Sequence, residues 1–195
     1  MKLRVIATLV AVLAFGVGSA SAQSIGIFAD TGSSSCNVQI PVYSQTSSFY
    51  INVVGSGALV PAGINGAEFQ VLHNLTGADA ILTVVPNAGS NIALGDPMAG
   101  GCNIAFPGCQ AGASVNLYEI KVFLLNGAFT DFVSVAAHTV PSNPNFACSL
   151  INKCDGPIFT AVCVPGGAAY INDQADPCQI AVEDKSWGEV KSLFN

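Results

Sequence analysis

The chain has 195 residues, of which 51% are hydrophobic and only 9% charged, and its formal net charge at pH 7 is −6. Six basic residues against twelve acidic ones disfavour nucleic acid and anionic membrane surfaces as partners, because both bind proteins through lysine and arginine. The apolar fraction suffices for a hydrophobic core, which argues against a disordered chain despite 20 glycines and 10 prolines.

The first 22 residues have the pattern of a secretory signal peptide. Lys2 and Arg4 precede the apolar run Val5–Val17, and Ala20-Ser21-Ala22 has the form of a cleavage site. The apolar run is shorter than a membrane span requires. We therefore expect a secreted or extracellular protein, cell-surface associated in one interpretation, with no membrane span after cleavage. Its form starting at Gln23 keeps four lysines against twelve acidic residues, a net charge of −8.

Residues 23–195 predict a single all-β domain, an antiparallel β-sandwich with disulfide-stabilised loops. Apolar and polar residues alternate along 116–125, where Tyr118, Ile120, Val122 and Leu124 share one face. Turn formers separate such runs, for example at Pro61-Ala62-Gly63, Asn126-Gly127 and Pro165-Gly166-Gly167. The predicted strands are Ser24–Ala29, Asn37–Tyr43, Ser48–Val54, Ala67–His73, Ala80–Val85, Asn103–Phe106, Val115–Leu125, Asp131–Ala137, Ile158–Val164 and Ala168–Asn172.

A short C-terminal helix is the one helical element that the sequence predicts. Ser186-Trp187-Gly188-Glu189 has the form of a capping box, in which the first and last side chains bond the helix N-terminus. Trp187, Val190 and Leu193 or Phe194 then share one face. This face would close one end of the sandwich or, in the alternative interpretation, dock a partner.

Seven cysteines in a secreted chain predict a disulfide framework whose connectivity the sequence leaves open. Local pairing is the simplest proposal: Cys102–Cys109, Cys148–Cys154 and Cys163–Cys178, the last pair flanking an expected hairpin. Cys36 is then the odd cysteine, expected to be buried and inert. A zinc site is the competing interpretation, but the chain has no C-x-x-C motif and no histidine at ligand spacing from a cysteine pair.

Catalytic motifs are missing from the sequence. There is no G-x-S-x-G elbow, no H-E-x-x-H motif and no glycine-rich phosphate loop. His73 and His138 end strand-like runs, and Glu68, Glu119 and Asp131 lie on or beside strands, where we expect them to face solvent. The sequence therefore predicts a protein that is not an enzyme and needs no cofactor.

Two sequence patterns suggest sites for a metal or a modification. Asn172, Asp173 and Asp176 offer hard oxygen ligands for calcium, with a plain turn as the alternative interpretation. Asn74-Leu75-Thr76 matches a glycosylation sequon, which matters only in a host that glycosylates secreted proteins.

Several short stretches carry a family resemblance. They are Ser24–Asp30 followed by Cys36-Asn37, the strand Ala67–Val71, the Pro165-Gly166-Gly167 hairpin with Cys178, and the tail Ser186–Lys191. These stretches resemble secreted bacterial proteins of poorly characterised function. Residues 37–136 are similar to cohesin-type sandwich modules, which have an "AEFQ"-like strand after a loop. The resemblance implies a β-sandwich with an extracellular binding or structural role, and it carries over no catalytic residue, calcium ligand or dockerin contact.

Two functional hypotheses follow from the sequence. The first is a non-enzymatic extracellular structural or binding module, associated with the cell surface or matrix, whose partner is an extracellular protein, a glycan or a second copy of itself. The second is a carbohydrate-binding module or a cryptic glycan-active enzyme. Glycan binders present exposed aromatic rings, and the available rings belong to Tyr43, Phe49, Tyr50, Tyr118 and Tyr170. Their placement in strand-like runs predicts core or half-buried packing instead.

Overall fold

The computed structural model describes residues 23–43, 45–55, 60–126, 131–154 and 160–172. Regular structure in these ranges consists of β-strands, so the all-β prediction is confirmed there, while the expected signal peptide and C-terminal helix lie outside them. The strands are β1 Gln23–Phe28, β2 Ser47–Gly55, β3 Val60–Leu72, β4 Ala80–Pro86, β5 Ile92–Asp96, β6 Gly101–Gly112, β7 Ser114–Leu124, β8 Asp131–Ala136, β9 Ser149–Lys153, β10 Thr160–Val164 and β11 Ala168–Ile171.

These strands form two antiparallel sheets. The small sheet has the order β1-β2-β7-β4, and the large sheet has the order β10-β9-β3-β6-β5 with β8 and β11 attached to it. The long strand β3 is its centre: one edge pairs with β6, and the other pairs first with β9 along Ile64–Glu68 and then with β8 along Gln70–Leu72. One strand therefore organises most of the large sheet.

The hydrophobic core lies between the sheets and follows the alternation in the sequence. Phe49, Ile51 and Val53 of β2 are fully buried, as the period of two predicts. On β7 the predicted buried face is also confirmed, and Leu117 joins it. Leu117 is buried because the register between β2 and β7 shifts beside Ile51, which turns one extra side chain inwards.

A short crossing segment joins the two sheets along one side. The amide of Ile25 donates to the carbonyl of Pro165, and Gly167 both donates to the Ile25 carbonyl and accepts from the Val135 amide. Gly166 lies between β1 and β8, where a Cβ atom would overlap the carbonyl oxygen of Val135. The predicted hairpin at Pro165-Gly166-Gly167 is therefore wrong: β10 pairs with β9 and β11 pairs with β8.

One predicted strand is not a strand in the structure, and two observed strands were not predicted. Asn37–Tyr43 is not a strand and makes only isolated bridges at Val38 and Val42, because it runs along the margin of both sheets. The strands β5 and β9 were not predicted. All five residues of β5 are exposed, and β9 has no clean alternation, so neither carries the pattern of a half-buried strand.

The described disulfides pair the cysteines differently from the local scheme, which is therefore wrong. The described bridges are Cys109–Cys154, with Cα atoms 6.1 Å apart, and Cys148–Cys163, with Cα atoms 5.6 Å apart. Cys102 and Cys109 lie on one extended strand, seven positions apart, which places their Cα atoms about 23 Å from each other. Cys148 and Cys154 flank β9 in the same way. Such separations far exceed the reach of a disulfide.

The odd cysteine was also assigned wrongly. Cys36 is disulfide-bonded, whereas Cys102 of β6 is a free thiol that is fully buried. Burial raises the pKa of Cys102 to about 12, so the thiol is neutral at physiological pH. Cys163 is bonded to Cys148, which excludes its predicted pairing with Cys178. These bonds also remove five cysteines from the zinc interpretation.

No helix in the described ranges is both long and apolar enough to cross a membrane.

Candidate functional site

The outer face of the large sheet, formed by β9, β3, β6 and β5, is the candidate binding site, and we call it the large-sheet face. Cross-strand register places its side chains in two rows. One row is Leu150, Glu68, Asn103 and Leu94, and the other is Asn152, Gly66, Ala105 and Ile92. Directly opposed residues on one face of a sheet touch one another. The site therefore combines aliphatic, amide and carboxylate groups within two rows.

A depression of about 270 Å³ lies on this face. Gly66 and Ala105 leave space for this depression, because glycine has no side chain and alanine has a single methyl group. The side chain of Asn152 donates to Asn65 at one margin. At the opposite margin the edge strand β5 leaves Ile92 46% exposed and Leu94 63% exposed. Its lining residues are Asn65, Gly66, Ala67, Glu68, Ile92, Asn103, Ile104, Ala105, Ser142, Leu150, Ile151, Asn152 and Ala161.

Glu68 is the unusual group of the depression, since its residue is only 4% exposed. Its two carboxylate oxygens lie 3.2 and 3.0 Å from one donor, the backbone amide of Ser142. The described chain forms no ion pair with it: Lys121 pairs with Glu119 on the other sheet, and Lys153 forms no ion pair with Glu68. The prediction that Glu68 faces solvent is therefore wrong, because a segment from elsewhere in the chain covers it.

That segment is the connection between β8 and β9, residues 137–148, which we call the strap. Thr139 donates from its backbone amide and its hydroxyl to the carbonyl of Gly100, which fixes the strap beside the turn before β6. Ser142 then reaches Glu68, and Cys148 ends the strap in its disulfide with Cys163. The strap thus crosses the large-sheet face and forms one wall of the depression.

The outer face of the small sheet uses its polar groups differently. Asn52 is fully buried there: its amide nitrogen donates to the carbonyl of Asp30 and to the hydroxyl of Ser33, and its oxygen accepts from Asn116. The Asp30 carboxylate accepts hydrogen bonds from the backbone amide of Ser34, the hydroxyl of Ser34 and the backbone amide of Ser35. These bonds hold the pKa of Asp30 below its usual range. This network closes a loop onto the sheet and leaves no open depression at Asn52.

The two histidines and the remaining carboxylates form no catalytic arrangement among the described residues. His73 donates from Nε2 to the Met98 carbonyl, and His138 accepts at Nδ1 from the amide of Val140. Glu119 accepts from the Ser48 hydroxyl and lies 3.9 Å from the Lys121 ammonium, so it is an ordinary half-exposed surface carboxylate as predicted. The backbone of Asp131 begins β8 and pairs with Ile171.

The structure gives Asn172 a structural role instead of showing a calcium ligand. Its side-chain amide bonds both backbone groups of Ile40, and its φ of 60° is typical of an asparagine in a turn. Asp173 and Asp176 lie outside the described residues, where no statement on calcium is made. Within the described ranges, no group of three or more His, Cys, Asp or Glu residues is placed to hold a metal ion. Asn74 of the sequon is exposed, and its glycosylation stays a prediction.

The aromatic side chains proposed for glycan binding do not form one platform. Phe49 and Tyr118 are in the core, Tyr50 and Tyr170 are half-buried as predicted, and Tyr43 is 68% exposed. Tyr170 instead has a neighbour that the sequence analysis missed, Phe132, whose ring centroid lies 5.0 Å away on β8. This pair is the best aromatic surface within the described part of the chain.

The fold is similar to that of solved cohesin modules. The cohesin module of a family 33 glycoside hydrolase from Clostridium perfringens has a TM-score of 0.50 and 11% identity, covering 77% of this chain and 96% of the module. The seventh ScaB type I cohesin from Pseudobacteroides cellulosolvens has a TM-score of 0.49 and 9% identity, covering 79% and 94%. A non-cellulosomal cohesin from Archaeoglobus fulgidus has a TM-score of 0.46 and 11% identity, covering 80% and 94%. No protein-family model and no curated protein matches the chain.

Sequence reasoning identified Glu68 and its strand but missed the site they belong to. Asn103 lay in a predicted strand, whereas β5 and β9, which complete the face, carried no clear signal. The one available hint in the sequence was a pair of aliphatic residues two positions apart, Ile92 and Leu94, which the structure shows to be exposed. The predicted cohesin-like resemblance is confirmed at the level of the fold: the chain has a cohesin-like β-sandwich.

Proposed function

We propose that this protein is a non-enzymatic extracellular module that binds a protein partner through the large-sheet face. The observation that carries the proposal is this face itself: a depression of about 270 Å³, exposed aliphatic side chains at one margin and a buried carboxylate, on a cohesin-like sandwich. Apolar side chains beside a few fixed polar groups are typical of the central part of a protein interface. The two disulfides within the described residues support an oxidising, extracellular location.

The chemistry of the face favours binding over turnover. Glu68 bonds only a backbone amide, and neither histidine bonds a nucleophile or a carboxylate among the described residues. General acid–base or nucleophilic catalysis requires such groups within hydrogen-bonding reach of one another. The similar Clostridium perfringens structure is itself called a module of a glycoside hydrolase, and that name supports an accessory role for this sandwich too.

The test is affinity capture from the extracellular and envelope fractions of the source organism, followed by calorimetry with the purified partner. Ala105→Trp fills the depression, and Thr83→Trp adds the same ring to an exposed position on the small sheet. We expect a partner that binds the wild type and Thr83→Trp equally and loses at least about tenfold in affinity with Ala105→Trp. Equal binding by all three proteins, or turnover of ester, peptide or glycoside substrates by the pure protein, would overturn the proposal.

Glycan binding is the second candidate function, and the Phe132–Tyr170 ring pair favours it. Phe132 is 40% exposed, and stacked or tilted aromatic rings can present a face to a sugar. Retention of the protein on insoluble polysaccharides would support this function if Phe132→Ala abolished it and Ala105→Trp left it unchanged.

A further inference from the structure

The buried carboxylate of Glu68 indicates which chemical group the partner brings to the large-sheet face. Glu68 is 4% exposed, and both of its oxygens share the single amide of Ser142. An ionised carboxylate offers about four acceptor positions. The described chain therefore fills only a small part of the hydrogen-bonding capacity of this group.

The charge of Glu68 is also uncompensated within the described chain. The lysines in that part are Lys121, which pairs with Glu119, and Lys153, which makes no ion pair with Glu68. A buried charge is stable when it is paired and hydrogen-bonded. Glu68 is one of the residues that line the depression, so the depression is the route by which a partner would supply the missing positive charge.

We propose that Glu68 is the anchor for a basic side chain of the protein partner, with arginine preferred to lysine. This inference rests on the proposed function and names the chemistry of the partner. A guanidinium group has five N–H donors in a planar fork, which can bond the carboxylate and a neighbouring acceptor together. Asn103, directly opposite Glu68 on β6, provides such an acceptor, since its side chain makes no hydrogen bond among the described residues.

The rest of the molecule supports a basic partner. The net charge of the whole chain is −6, so a basic surface is attracted over distance. The aliphatic side chains of Leu150 and Ile92 line the same depression and can cover the methylene stem of the basic residue. A neutral partner would leave the carboxylate both desolvated and unpaired, which opposes its binding.

The first experiment needs no partner. Methylguanidinium chloride and methylammonium chloride are titrated into the ¹⁵N-labelled protein, with sodium chloride at equal ionic strength as the reference. We expect a saturable shift of the Ser142 amide with methylguanidinium, a weaker one with methylammonium and none with sodium. Glu68→Gln should abolish the shift while its amide oxygen still accepts from Ser142, and Glu68→Asp should keep the charge and part of the response.

Glu119→Gln is the matched control, because it removes the same charge from the half-exposed, lysine-paired position on the small sheet. It should leave the Ser142 titration unchanged. With the captured partner, Glu68→Gln should weaken binding at least about tenfold and Glu119→Gln less than about twofold. Replacement of one arginine or lysine of the partner by glutamine should weaken wild-type binding in the same way and add nothing in the Glu68→Gln background.

The outcomes separate this inference from the proposed function. If Ala105→Trp blocks a partner but Glu68→Gln binds it normally, the docking face stands and the basic anchor is wrong. If no face-dependent partner exists and methylguanidinium still titrates Ser142 in a Glu68-dependent way, the cation site stands and the protein partner is wrong. Identical shifts with sodium chloride, or shifts that persist in Glu68→Gln, overturn the anchor.

Discussion

The two outer faces of this sandwich carry similar residues and use them in opposite ways. Each has a glutamate near the middle of a strand and at least one asparagine. On the small sheet, Glu119 is paired with Lys121, and Asn52 is bonded to a loop that covers it. On the large sheet, Glu68 has no cation and Asn103 no hydrogen bond among the described residues, although the strap covers part of the face.

The difference shows how one fold separates stability from binding. A polar group whose hydrogen bonds are made within the chain stabilises the fold and is unavailable to a ligand. A buried polar group with unused capacity is costly in the free protein and rewards a partner that completes it. The disulfides add to this contrast, because both of the described bridges join strands or strand ends of the large sheet.

The largest expected effect concerns these disulfides. Replacing both Cys109 and Cys154 by alanine opens a loop with a sequence separation of 45 and should lower the free energy of unfolding by about 4 kcal/mol in the chain-entropy model. The Cys148/Cys163 double variant opens a separation of 15 and should lose about 3 kcal/mol. Urea unfolding measures both values. Equal, negligible losses would show that the large sheet does not depend on its cross-links.

Non-reducing peptide mapping checks the connectivity on which that prediction rests. We expect the two cross-links Cys109–Cys154 and Cys148–Cys163 and an alkylatable Cys102 after unfolding. Cys36 should be recovered in a disulfide as well. Recovery of Cys36 as a free thiol would contradict this scheme.

The next effect compares the two asparagines directly. Asn52→Ala leaves buried donors and acceptors of the small-sheet loop without partners and should lower the free energy of unfolding by about 3 kcal/mol. Asn103→Ala removes a half-buried amide with no hydrogen bond among the described residues and should change it by less than about 0.5 kcal/mol. Similar losses in the two variants would erase the proposed distinction between the faces.

The core that both sheets share should respond to alkaline pH. Burial raises the pKa of Cys102 to about 12 and holds the pKa of Tyr118 well above its ordinary value. Both groups ionise more easily in the unfolded chain, so their contribution is complete below about pH 9 and is lost as the pH rises towards 12. Unfolding free energies from pH 8 to 11 should therefore fall, and Cys102→Ala should flatten that fall.

The smallest effect tests the loop over the small sheet. Because hydrogen bonds lower the pKa of Asp30, its stabilising contribution is present above the unfolded pKa of about 4 and is lost as the pH falls below it. Asp30→Asn should make unfolding between pH 5 and 2 less dependent on pH, by a small amount because this carboxyl is exposed. An unchanged acid-unfolding curve would mean that the network around Asn52 holds the loop without Asp30.

The sequence alone predicted the sandwich and the buried faces of its most regular strands. In β2 and β7 the alternation of side chains is a local property, and the period of two assigns each residue to a face before any partner strand is known. Tyr118, Ile120, Val122 and Leu124 were assigned to one face correctly for this reason. The cohesin-like fold was predicted separately, from the resemblance of residues 37–136, with the "AEFQ"-like stretch of β3, to cohesin modules.

Only the tertiary structure decided which strands are neighbours, and the errors in the cysteine pairing and in the burial of Glu68 follow from that. Cys109 meets Cys154 because β6 and β9 flank β3, a fact that spacing along the chain does not contain. Glu68 is buried because the strap brings Ser142, 74 residues away in sequence, onto the outer face of β3. Local periodicity assigns a side chain to one face of a strand, whereas long-range packing decides whether solvent, another segment or an open depression lies over that face.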